Sequence, residues 1–256
     1  MFRVGVTNIV TGGCENLEVY QRAISFLSLR DQILASIRIS VSACDHLRRA
    51  GESIPLNIAH GSSVWTAKER NTYYAHASAS ALECAACMDI LYAKNLVNET
   101  VQNDGKKALR MIVNMLIAMQ HEASDRLCEA MSNYVCKEQG CYFDHEKLLA
   151  YSSSIAFIAW ITKTAPNPAC SGDLLAKLDK SSTSVVLNIA EGNGRITNAD
   201  KIKFFKTAVK ANTQTIALAG IAYRGSDNIA EAQNILQTTG KCLSGLIKSK
   251  QKIKST

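Results

Sequence analysis

Three lysines on one stretch, Lys203, Lys206 and Lys210, repeat at helical spacing and fall within about 60° of arc at ~100° per residue. Arg195 precedes them, and Lys248, Lys250, Lys252 and Lys254 crowd the end of the chain. A lysine ridge neutralises phosphates without reading sequence, so these residues suit a nucleic-acid backbone. Arg195, Lys203, Lys206, Lys210 and Lys248 are the candidate nucleic-acid-binding residues. A different chemistry is suggested by Arg70-Asn71-Thr72-Tyr73-Tyr74-Ala75-His76. An arginine can hold a phosphate while a histidine moves a proton, as metal-free RNA cleavage requires. Cys84-Ala85-Ala86-Cys87 has the spacing of half a zinc site, but no second ligand pair stands at suitable distance. Both cysteines also sit on the apolar stripe of a helix, so they read as small core residues. No metal and no cofactor is expected. No nucleophile triad, phosphate-binding glycine loop or paired acid site is present in the sequence.

The totals narrow what can carry these groups. The net charge of +7 is unevenly spread: residues 1–131 hold 13 basic and 13 acidic residues, so the excess lies wholly after them. That asymmetry points to an anionic partner. Only 3 prolines and 14 glycines argue against a loop-rich or all-β chain, and the wealth of Ala, Leu and Ile suits packed helices. No run of 18 apolar residues is present, so no membrane partner is expected. The first residues lack the long apolar centre of a signal peptide, which makes the cytoplasm the expected compartment. There the nine cysteines read as reduced, buried side chains.

The chain repeats itself without a gap at an offset of 131 residues. Leu56-Asn57-Ile58-Ala59-His60-Gly61 lies over Leu187-Asn188-Ile189-Ala190-Glu191-Gly192, and Tyr73-Tyr74 over Phe204-Phe205. In copy one the periodicity predicts helices over 15–38, 44–60, about 66–95 and from about 104 into the 130s. Gly61 is read as a stop and Pro55 as a local bend. Thr66 with Glu69, and Thr197 with Asp200, are capping signals at the same place in each copy. The third helix of copy two carries two apolar stripes. Phe204, Ala208, Thr215 and Leu218 make one; Ile202, Phe205, Val209 and Ile216 make the other. The second is expected to be buried against the other repeat or another subunit, which makes a homo-oligomer the expected state. The fold expected is all-α: two tandem up-down four-helix bundles, over residues 14–136 and 145–252.

Leu47-Arg48-Arg49-Ala50-Gly51-Glu52-Ser53-Ile54-Pro55-Leu56-Asn57-Ile58-Ala59-His60-Gly61 resembles the four-helix-bundle proteins encoded in intervening sequences of bacterial 23S rRNA genes. Their pattern runs roughly L-R-R-A-x-x-S-I-P-x-N-I-A-E-G-x-G-R. Copy two keeps Asn188-Ile189-Ala190-Glu191-Gly192-Asn193-Gly194-Arg195 but has Leu178-Asp179-Lys180-Ser181 for the opening. The resemblance implies a helical bundle and a pentameric barrel of single-copy chains. A related group, the accessory proteins of diversity-generating retroelements, works with a reverse transcriptase and nucleic acid. The expectation is therefore a non-enzymatic assembly or adaptor protein whose partners are RNA, DNA or such an enzyme. The stretch from Arg70 to His76 resembles the Arg-Asn-x4-His motif of the HEPN ribonucleases. That resemblance implies the alternative, a metal-independent ribonuclease using Arg70 and His76.

Overall fold

The structure is a computed structural model, and it describes residues 13–121 and 141–252. Among the described residues there are eight α-helices: α1 Glu18–Ser36, α2 Ser42–Ser63, α3 Ala67–Ala93, α4 Glu99–His121, α5 Leu149–Lys163, α6 Gly172–Gly194, α7 Asn198–Ala222 and α8 Ile229–Lys252. Short 3-10 turns, Cys14–Asn16 and Asp144–Lys147, precede α1 and α5. No strand occurs among the described residues. The fold is all-α, as the periodicity predicts. The expected end of the first bundle, residue 136, and the run of its last helix into the 130s lie outside the described residues.

Each set of four helices closes on itself. α1 lies against α2 and α4, and α3 completes the ring; α5, α6, α7 and α8 are arranged with the same neighbours. The same local devices recur at the 131-residue offset. Leu17 and Leu148 precede α1 and α5 with nearly the same extended backbone, φ −73° and −74°. Thr66 Oγ1 accepts the Glu69 amide at 3.2 Å, and Thr197 Oγ1 the Asp200 amide at 3.1 Å. Each satisfies one free donor of a first helical turn, so the capping signals hold. Each threonine hydroxyl in turn donates to the carboxylate of that same acid, at 2.9 and 2.6 Å.

One boundary differs from the sequence reading, for a packing reason. α2 runs on through Pro55 and Gly61 to Ser63. Gly61 is no stop: it is buried, and a Cβ there would collide with the Tyr74 ring. Its counterpart Gly192 would place a Cβ 2.8 Å from Phe205 Cε1. The glycine therefore lets the second helix of each ring lie directly on an aromatic side chain of the third. Asn57 and Asn188 bond back within their helix, Nδ2 to the carbonyls of Ser53 and Ser184, both at 2.8 Å.

α7 does not present two separate stripes. Its buried line is Phe205, Ala208, Ala211, Asn212, Thr215, Ala219 and Ala222. Phe205 is buried, but Ile202 and Val209 are half-buried and Ile216 is 37% exposed. The stripe expected to be covered thus splits: Phe205 lies in the core with Val209 packed against it, and Ile216 turns outward.

The two rings share one core. The largest apolar cluster runs from Phe26, Leu47 and Ile58 of copy one to Tyr151, Val186 and Phe205 of copy two. α3 packs against α5 and α6, and α2 touches α6. A smaller cluster, with Phe157, Trp160 and Tyr223, fills the far end of copy two. Between these clusters lies a polar layer of Ser154, Ser181, Asn212, Thr215 and Thr239, all buried. The matching positions of copy one are Ala23, Ala50, Ala81, Cys84 and Ala108.

Candidate nucleic-acid interface

Lys203, Lys206 and Lys210 are all exposed along the outer face of α7. The reason is geometric: Phe205, Ala208 and Thr215 take the inward arc, and the lysines fall opposite it. None of the three forms an ion pair among the described residues. No acid stands between residues 201 and 226, and from 201 to 256 ten lysines and arginines face only Asp227 and Glu231. Lys248 is exposed near the end of α8, beside the start of α7. Lys201 is half-buried there, and its pKa is lowered, first by burial and then by nearby Lys250. The two helices thus bring like charges together with no acid between them. The sequence reading named Lys250 in the basic end of the chain but did not join it to Lys201, because the two sit on different helices and their meeting depends on how α7 and α8 pack.

Arg195 is engaged differently. It pairs with Glu191 and lies over the Phe204 ring, 4.5 Å from its centroid. This geometry places the guanidinium at the turn between α6 and α7, with its charge already matched. Burial raises the Glu191 pKa, and the neighbouring Arg195 opposes that rise.

Arg70 and His76 do not meet. They lie six residues apart on α3, about 120° round the helix, with Tyr73 between them. Tyr73 instead takes ring contacts with His60 of α2 at 5.4 Å and with His76 at 6.5 Å. Cys84 and Cys87 are fully buried on α3, and burial pushes both thiols well above their usual range. Such thiols are poor metal ligands and poor nucleophiles.

A further polar group lies at the seam between the copies. Asp89 of α3 accepts from Gln102 at 2.6 Å, from Lys106 at 2.8 Å and from the Tyr151 hydroxyl at 2.7 Å. Lys106 also reaches Glu146 at 3.0 Å, and Glu146 accepts the Phe143 amide. His145 beside them is 1% exposed, and its Nε2 has no hydrogen-bond partner. Its pKa falls to about 3, chiefly through burial and then through Lys106. Asp89, His145 and Glu146 are close enough to share a cation. The Lys106 ammonium already stands between the two carboxylates and supplies that positive charge. Sequence reading missed this group because its members come from α3, α4, the 3-10 turn and α5.

The described residues are all-α, and an exposed lysine row in a stretch without acids lies on α7. Residues 15–118, within copy one, match the family model described as 23S rRNA-intervening sequence protein. That is the family which the segment from Leu47 to Gly61 resembles. Comparison with curated proteins and with solved structures gives no significant match.

Proposed function

We propose that the protein is a non-enzymatic assembly or adaptor module that holds nucleic acid on the outer face of α7 and the end of α8. The observation that carries this reading is the ridge itself. Lys203, Lys206 and Lys210 are exposed, unpaired among the described residues, and set in a stretch without acids. Paired surface lysines belong to ordinary solvated helices, whereas an unopposed row attracts a polyanion. Lys248 extends the row onto α8; Arg195, matched by Glu191, orients the turn below it. Point charges on flexible stems contact phosphates rather than base edges, so sequence preference is weak.

The test is a gel-shift series over salt, using the parent and the Lys203→Ala, Lys206→Ala, Lys210→Ala triple variant. Each neutralised phosphate releases counterions, so the variant should lower the log–log salt slope by up to about 2.7 on duplex DNA. No binding by the parent at ~50 mM salt, or an unchanged slope in the variant, overturns the proposal. The ribonuclease alternative gains nothing from the geometry, because Arg70 and His76 point about 120° apart. His76→Ala is expected to leave RNA turnover at the level of the parent, which is background.

A further inference from the structure

Between the two copies lies a cleft of about 650 Å³, and positions equivalent under the repeat build its walls. Val41, Asp45 and Arg49 of α2 and its approach face Gly172, Ala176 and Lys180, their counterparts 131 residues on. The acids of the cleft are already matched. Asp179 Oδ2 accepts the Ser42 amide at the start of α2 at 2.7 Å, and Lys94 Nζ lies 2.8 Å from its other oxygen. Asp45 pairs with Arg48 at 3.4 Å. Two cations are left over. Arg49 touches His46 Nδ1 at 3.4 Å and forms no ion pair among the described residues; the same holds for exposed Lys180. Val41 and Leu175 supply an apolar surface in the same cleft.

We propose that this cleft binds a nucleoside phosphate. The phosphate sits between Arg49 and Lys180, and the nucleoside lies on Val41 and Leu175. A phosphomonoester carries close to two negative charges, which matches two uncommitted cations from opposite walls. The arginine fork suits two phosphate oxygens at once, and the lysine acts as a point charge. The volume falls in the range of small-ligand sites. The lining is mostly polar and charged, as a phosphate requires, with Val41, Leu175 and Ala176 as its apolar part. The cleft exists only because two copies stand side by side, so the site is a property of the tandem chain. It uses none of the α7 ridge residues and stands independently of the polyanion reading above.

Titration calorimetry on the full chain at low salt tests it, with adenosine 5′-monophosphate, guanosine 5′-monophosphate, adenosine and inorganic phosphate. Both nucleotides should bind, adenosine at least about tenfold more weakly for want of charge-assisted contacts, and inorganic phosphate more weakly than either nucleotide. Arg49→Gln with Lys180→Gln should weaken nucleotide binding at least about tenfold, because both phosphate contacts are lost. The Lys203, Lys206, Lys210 triple-alanine variant should bind nucleotide like the parent. Both glutamines replace surface side chains, and unchanged helical circular dichroism verifies the fold. A 5′-phosphorylated oligonucleotide that competes with the nucleotide, and loses competition in the double variant, makes a strand end the source of the phosphate. One that fails to compete makes it a free nucleotide. No heat with either nucleotide at millimolar concentration, or equal binding by the Arg49→Gln, Lys180→Gln variant, overturns the proposal.

Discussion

Gly61 and Gly192 show how a single missing Cβ shapes both copies. Each lies inside a helix, where alanine would ordinarily be favoured by up to about 1 kcal/mol. Each instead faces a buried ring, Tyr74 at 2% exposure and Phe205 at 1%. Overpacking a filled core costs about 1–3 kcal/mol, so collision outweighs propensity. Gly61→Ala and Gly192→Ala should therefore destabilise the protein in urea unfolding. Gly245 of α8 offers the control: nothing lies within 4 Å of a Cβ built there. Gly245→Ala should stabilise by a few tenths to about 1 kcal/mol. Opposite signs at buried and open glycines are the expected result, and a common sign would defeat the collision argument. The sequence marked Gly61 as special but assigned it the wrong role. A helix-ending glycine and a close-packing glycine look alike until the third helix is placed over the second.

At the scale of the element, the third helices were the most legible part of the chain. Thr66 and Thr197 announce their starts by chemistry confined to four residues, and those local signals survive folding unchanged. Thr66→Ala and Thr197→Ala should each cost about 1 kcal/mol, measured by thermal unfolding with the other cap intact. A loss below a few tenths at both sites would mean the caps are redundant. The inward face of α7 was less legible. Its buried positions include Asn212, which no apolar count would select, beside Thr215 of the first stripe, while Ile216 and Ile221 stay exposed. The reason is the polar layer of copy two. Thr215 donates to the Ala211 carbonyl at 2.9 Å and sits 3.0 Å from Ser181 Oγ, and Asn212 donates to the Leu236 carbonyl at 2.9 Å. Those hydrogen bonds make burial of hydroxyls and amides tolerable. The lysine ridge, by contrast, needed only helical periodicity to be placed on one face. Its extension to Lys201 and Lys250 needed the packing of α7 on α8.

At the scale of the whole molecule, the seam between the copies depends on groups that the sequence could not bring together. Lys106 stands between Asp89 and Glu146, with the pair Lys94 and Asp179 on the same seam. Removing one partner of a buried ion pair leaves uncompensated charge and costs about 3–5 kcal/mol, so Lys106→Met should loosen the seam by that order in urea unfolding. His145 makes the same seam sensitive to acid. Its folded pKa, about 3, lies below the ordinary 6.5, so the unfolded chain takes up the proton first. The stability it contributes is whole above pH 6.5 and is lost as pH falls from there toward 3. Between pH 6.5 and 5 the loss should approach about 2 kcal/mol. Glu146 and Glu191, whose pKa values are raised mainly by burial, act in the opposite sense: their ionisation disfavours the fold as pH rises. The contribution of His145 is therefore isolated by comparing the parent with His145→Phe. A phenyl ring can keep the stacking on Phe143 and the edge contact with Tyr151, at centroid distances of 5.8 and 4.6 Å in the parent, but it cannot take up a proton. Urea unfolding at pH 7 and pH 5 should show the parent losing more stability than the phenylalanine variant. Equal losses in the two proteins would mean that His145 is protonated as readily in the folded seam as in the unfolded chain.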